Sequence, residues 1–203
     1  MVQTPAKKFF LYGIAIAALE EFISQGVLKD SYFLWVFTLI PFAVFLVVAR
    51  GVVAFLGRGG SRWRAPLLYY LVMGGIGLAI EWFIIGLSPW SDETSPRWLV
   101  AVFHAGVFSF WGTVALAPHI LLDDRAEMAG LKRRFLCTFA ACTTVTYTLT
   151  FAAKVGGAGK NAQFLASIGP LIVTFLAMNA FYAVYFRCCG RLRRTASGAP
   201  WTP

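Results

Sequence analysis

Apolar residues gather in runs of about 20, separated by short polar or basic stretches, and that is the length a helix needs to cross ~30 Å of hydrocarbon. The runs cover 9–28, 32–56, 67–87, 98–122, 135–153 and 164–186. Because they are apolar on every side, they lack the period-two alternation of barrel strands and predict an all-α, polytopic transmembrane helical bundle of about six spans. Short connections predict that consecutive helices run antiparallel. One transmembrane domain, 1–194, followed by a flexible cytoplasmic tail, 195–203, accounts for the whole chain, with no internal repeat and no low-complexity segment.

Two features complicate individual runs. Lys7 and Lys8 precede a short apolar core containing Ala15-Ile16-Ala17, so a cleaved leader is the rival reading of the first run; cleavage would leave five spans in the same orientation. Thr138, Thr143, Thr144, Thr146, Thr148 and Thr150 crowd the fifth, where each hydroxyl is expected to bond the carbonyl one turn back. Pro41, Pro118 and Pro170 fall inside three other runs and favour kinks there.

Composition agrees with a bilayer as the main solvent: 59% of residues are hydrophobic and 13% charged, against the roughly 25% charged of a soluble domain. A net charge of +9 raises the question of nucleic acid, but the basic residues stand at the ends of apolar runs, which points to topology and anionic headgroups instead. Lys7, Lys8, Arg50, Arg58, Arg62, Arg64, Arg125, Lys132, Arg133, Arg134, Arg187, Arg191, Arg193 and Arg194 fall on one side, fourteen of the 18. Lys29, Arg97, Lys154 and Lys160 fall on the other. The positive-inside rule then predicts a cell-membrane protein with both termini cytoplasmic. Trp35, Trp90 and Trp98 fit an outer aromatic belt and Trp63 an inner one.

The four cysteines have no metal-ligand spacing and imply no disulfide framework. Cys137 and Cys142 lie inside a run; Cys188 and Cys189 follow the last one, as acylated juxtamembrane thiols or as free ones. Gly156-Gly157-Ala158-Gly159-Lys160 lacks the strand, spacing and Ser or Thr of a phosphate loop and reads as an outer turn.

The candidate chemistry lies within the spans, where an ionisable side chain costs about 2.5–3.5 kcal/mol at the helix centre. Glu20, Glu21, Glu81 and His104 stand there. At a rise of ~1.5 Å per residue, Glu21, Glu81 and His104 all fall ~10 Å below the outer boundary, on three separate spans. Ser24 and Gln25 lie just outside that layer, and Thr38, Thr146 and Tyr147 near its level. Gly13, Ala17, Glu20 and Ser24 form one stripe and Gly74, Gly77 and Glu81 another, small residues that let helices approach closely. His104 shares a stripe with Phe108 and Trp111, and Trp82 beside Glu81 is placed to wall an apolar cavity. Three carboxylates and one imidazole cannot all neutralise one another, so a proton or a cation is expected among them. Without a local pair such as His-x-x-x-His, no metal site and no cofactor is predicted. His119, at the inner end of the fourth run, reads as an interfacial residue, and Asn179 as an interhelical hydrogen-bonding one.

Leu19-Glu20-Glu21-Phe22 resembles the paired-acid motif of the small membrane-embedded lycopene cyclases, without the proline that usually precedes it and without a second copy in the C-terminal half. What the resemblance implies is a glutamate that protonates a polyene. From the residues themselves three functions are open. One is a small proton- or cation-coupled carrier that uses the acidic layer for a cationic solute, towards which the convergence of three spans leans. Another is an enzyme acting on a lipid or isoprenoid with a glutamate as general acid, and the third a non-catalytic subunit with structural acids. The partners expected are the bilayer and a small cationic or lipophilic ligand.

Overall fold

A computed structural model describes residues 5–27, 30–56, 64–86, 89 and 96–196 of the chain. Lys29, Arg58, Arg62, Trp63, Trp90 and the tail from 197 on lie outside the described residues, as do the side chains of Arg64, Arg191, Arg193 and Arg194. The described elements are all helical: α1 (Ala6–Glu21), α2 (Tyr32–Leu56), α3 (Arg64–Ile80), α4 (Arg97–Leu121), α5 (Ala129–Val155) and α6 (Lys160–Ala196). Among the described residues, six helices are long and apolar enough to cross a membrane.

Local chemistry sets their ends. Pro5 and Pro96 stand just ahead of α1 and α4, where a missing N–H leaves nothing unsatisfied. Gly86, at φ 86°, closes the segment that follows α3, a left-handed position that a side chain would strain. The fifth and sixth helices overrun their apolar runs. Lys132, Arg133 and Arg134 are already helical in α5, and α6 continues through Ala196. The threonine-rich α5 is held as its sequence predicts, with Thr144, Thr146 and Thr150 donating to the carbonyls of Ala140, Cys142 and Thr146 at 2.7–2.9 Å.

The centre of the bundle is α4, buried without interruption from Ser109 to Ile120 and packed against α1, α3 and α6. Outside it, α2 packs on α1 and α5 on α6. Lipid is as apolar as leucine, so such helices associate through close packing rather than exclusion from water. Gly77 and Gly74 of α3 provide that closeness by admitting rings from α4. A Cβ on Gly77 would come within 2.0 Å of the Trp111 ring, and one on Gly74 within 2.6 Å of Phe108. Gly112 of α4 in turn admits Tyr70, and Gly13 of α1 admits Leu46 of α2. Trp111 is sealed between Gly77 and the rings of Phe42 and Phe45, whose centroids lie 4.6 and 4.7 Å away.

His119 is the clear departure from expectation. It is not interfacial but 3% exposed, wedged between Phe9 and Tyr69 at centroid distances of 4.9 and 5.4 Å, because the last turns of α4 pass through the middle of the bundle. Arg50 lies at the same end, its guanidinium 5.6 Å from the Phe9 ring centre. Here too Asp123, in the turn after α4, is paired with Arg125, which also reaches Cys189 Sγ of α6 at 3.5 Å. Cys189 is consequently buried, and of the vicinal pair Cys188 is the more accessible thiol.

Candidate functional site

At the opposite end of the bundle, α1 and α3 each change winding at an acidic residue. After Glu21 the chain continues as a π turn, Phe22–Val27, and from Glu81 as another, Glu81–Ile85. Such turns recur at functional sites, since the wider winding displaces side chains and carbonyls from the regular ladder. Carbonyls around the first π turn take donors from neighbouring helices. Trp35 Nε1 of α2 donates to Ala18 O at 3.0 Å, Tyr147 OH of α5 to Leu19 O at 2.9 Å, and Lys154 Nζ to Val27 O at 2.5 Å. Lys154 also pairs with Asp30, so the far end of α5 is tied to the α1–α2 connection.

The four ionisable groups expected in one layer are brought near one another. Glu81 lies within electrostatic range of Glu20, Glu21 and His104, and Glu20 within range of Glu21. Glu81 Oε1 accepts a hydrogen bond from Trp111 Nε1 at 3.1 Å, and Glu21 Oε2 one from Ser24 Oγ at 3.2 Å. His104 is oriented by its own helix: Nδ1 lies 2.7 Å from Val100 O, and since a carbonyl only accepts, Nδ1 carries the hydrogen. Trp82 stands edge-on to the His104 ring at 5.9 Å. Gln25 is half-buried, and its backbone carbonyl accepts from Ser31 N–H at the turn into α2.

Two spaces adjoin this layer. The larger is a groove of about 610 Å³ between α3, α4 and α6, which opens on the outside of the bundle, where Leu71, Ala105 and Ala183 are exposed. It follows α3 from Leu67 to Leu78, about 16 Å along the helix, with His104 lining it towards the acidic end. Its wall is mostly apolar, with a polar seam deeper in the bundle. Tyr70 OH donates to Asn179 Oδ1, Asn179 Nδ2 donates to Ser109 Oγ at 2.9 Å, and Tyr182 OH donates to Thr113 Oγ1 at 2.7 Å. Asn179 thus joins three helices, the interhelical role its sequence position predicts.

The smaller space, about 20 Å³, lies between α1, α5 and α6 and is lined by Glu20, Thr143, Thr146 and Thr174 together with apolar side chains such as Ile16 and Phe175. Glu20 therefore adjoins α5 and α6, whereas Gly13, on the same predicted stripe, meets α2. Trp82 contacts His104 but is not on the groove's wall, so the cavity expected beside Glu81 and Trp82 opens instead beside His104.

Sequence reasoning missed the Trp111 donor to Glu81, the Tyr70–Asn179–Ser109 seam, and Thr143 and Thr174 beside Glu20, though it placed Thr146 near that level. The pairing of Gly77 with Trp111 was open to view only as a glycine and a tryptophan at unrelated positions. Among the described residues no group of three or more His, Cys, Asp or Glu side chains is placed to hold a metal ion. Fold and site together define a helical protein with the makings of a multi-pass membrane protein. No family model, no curated protein and no solved structure matches the chain.

Proposed function

We propose that this protein is a membrane-embedded enzyme that takes a lipid or isoprenoid chain from the bilayer into the α3–α4–α6 groove and exchanges a proton with it. One observation carries the reading: His104 belongs both to the groove wall and to the charged layer of Glu81, Glu21 and Glu20. The groove has the volume and largely apolar wall of a small-molecule site, within the usual range of about 300–1,000 Å³. In this reading His104 meets the bound chain, Glu81 supplies the neighbouring negative charge, and Trp111 holds Glu81 in place.

The test is incubation of the reconstituted protein with isoprenoid and acyl lipids in D2O, followed by mass spectrometry of the extract. Protein-dependent incorporation of deuterium at carbon is the expected result. His104→Gln should lower it by about 100-fold or more, the scale of a lost general acid or base, and Glu81→Gln by less, since an amide oxygen still accepts from Trp111. No incorporation into any lipid by the wild-type protein rules the reading out.

A proton- or cation-coupled carrier is the second reading, favoured by the separate space at Glu20. Flux in proteoliposomes that depends on Glu20 but not on His104 distinguishes it. In either case the distribution of basic residues supports an orientation in the cell membrane with both termini cytoplasmic. A membrane-impermeant thiol reagent applied to intact cells should then leave Cys188 unlabelled and reach it after lysis; labelling before lysis reverses the orientation.

A further inference from the structure

The polar seam on the deep side of the groove has one more hydrogen than it uses. Tyr70 OH donates to Asn179 Oδ1, Asn179 Nδ2 donates to Ser109 Oγ at 2.9 Å, and the Tyr70 and Ser109 hydroxyls are within hydrogen-bonding reach of each other, so the three side chains close a ring of three bonds. They bring four hydrogens to it, one each from tyrosine and serine and two from the amide. Running the ring the other way, with the amide turned over, again uses three. The neighbouring pair is fully committed, since Tyr182 OH donates to Thr113 Oγ1 at 2.7 Å and Thr113 Oγ1 to Ser109 O at 2.6 Å. The surplus is an N–H of Asn179, and Asn179 is also the ring member most open to the groove: Tyr70 and Ser109 are 7% and 2% exposed, while Asn179 is half-buried.

Depth narrows what can meet that hydrogen. Ser109 is the middle residue of the 25 in α4, and Asn179 precedes Arg187 by eight residues of α6, about 12 Å. A bundle set across a bilayer puts this level inside the hydrocarbon, where acyl chains accept no hydrogen bond and an unmet donor is costly. The ester and phosphate oxygens of membrane lipids lie at the edges of that ~30 Å layer. Among the described residues that line the groove there is no lysine or arginine to balance a phosphate. An acceptor therefore has to arrive on a guest that is uncharged and otherwise apolar.

We infer that Asn179, held by Tyr70 and Ser109, is the specificity-determining residue of the groove, and that its ligand is an isoprenoid or long-chain lipid bearing a hydroxyl or carbonyl oxygen and no phosphate. The inference rests on the reading of the groove as a lipid site and not on proton exchange at His104. The guest oxygen accepts the surplus amide hydrogen, and its chain lies against apolar side chains such as Phe108 and Leu176.

The experiment is displacement of radiolabelled geranylgeraniol from the protein in nanodiscs by unlabelled geranylgeraniol, by the hydrocarbon that lacks its hydroxyl, and by geranylgeranyl diphosphate. The alcohol should compete about tenfold better than either of the others, the scale of one buried donor met rather than left unmet. Asn179→Leu should bring the alcohol down to the level of the hydrocarbon and leave the hydrocarbon unchanged. If Asn179→Leu does not fold, Asn179→Asp serves in its place: protonated in these apolar surroundings, it brings one hydrogen to the ring and leaves none over. Ala183→Trp, which fills the exposed side of the groove, should weaken all binding alike. Equal competition by alcohol and hydrocarbon, a diphosphate that competes best, or an undiminished preference in the Asn179 variants would overturn the assignment and leave the groove a lipid site. No displaceable binding by the wild type, or binding indifferent to Ala183→Trp, would remove the groove as a lipid site and this inference with it.

Discussion

Trp111 and Gly77 fix each other. The indole fills the place a Cβ would take on Gly77, and its Nε1–H is thereby aimed at Glu81 one turn along α3. Gly77→Ala should therefore be destabilising by about 1–3 kcal/mol, the scale of overpacking in a tight core, and should disturb the Glu81 contact as well. Gly75→Ala is the matched control. Nothing lies within 4 Å of the Cβ it would add, and the helix favours alanine by up to about 1 kcal/mol. Thermal unfolding of the two variants should move in opposite directions from the wild type. That Glu21, Glu81 and His104 come near one another was legible in sequence, because rise per residue is nearly constant in a helix. Which neighbour each one meets was not, because azimuth depends on how each helix rotates against the others. Helical spacing puts Glu20 on a stripe with Gly13, and the structure sends the two to different helices.

Elements are joined at both ends of the bundle by short polar ties. Near the basic end, Asp123 and Arg125 lock the turn between α4 and α5 and reach Cys189 on α6. Burial by itself would raise the Asp123 pKa, but the hydrogen bonds and charge of Arg125 outweigh it and hold the carboxyl below its usual range. A carboxyl depressed in the folded state contributes stability that is fully present above the unfolded value of about 3.9 and lost as pH falls through the lower folded value. Wild-type Tm should therefore owe this pair no change between neutral pH and about pH 5, and should drop in more acidic solution. Asp123→Asn should melt lower at neutral pH, with a loss of up to about 3 kcal/mol because Arg125 is partly exposed, and should lack that share of the acid drop. Six helices of bilayer length could be read from the chain, the first four to within a few residues and the last two short by up to about ten, because uninterrupted apolar runs of that length are rarely stable in water. The π turns could not. One extra residue per turn leaves no mark on composition, and what holds the first of them, Trp35, Tyr147 and Lys154, comes from distant parts of the sequence.

The whole molecule has two unlike halves. One end carries basic residues around a sealed aromatic and histidine core, the other carries carboxylates beside a small space, and an open groove runs from one towards the other. The long last helix bears on how this body sits in its surroundings. At 37 residues α6 is about 55 Å long, well beyond the ~30 Å of hydrocarbon it would cross. Its surplus length lies towards the end bearing Arg187 and Arg191, where it would stand in the headgroups or beyond. Where a helix of that length crosses a bilayer, its tilt follows membrane thickness. Thick bilayers would stand the helix upright, whereas thin ones would tilt it against α5, which packs on it. Because α6 also walls both the groove and the space at Glu20, the two sites should respond together. In vesicles of increasing acyl-chain length, ligand occupancy of the groove should pass through an optimum; a flat response would mean that α6 is held too firmly by its neighbours to report on the bilayer.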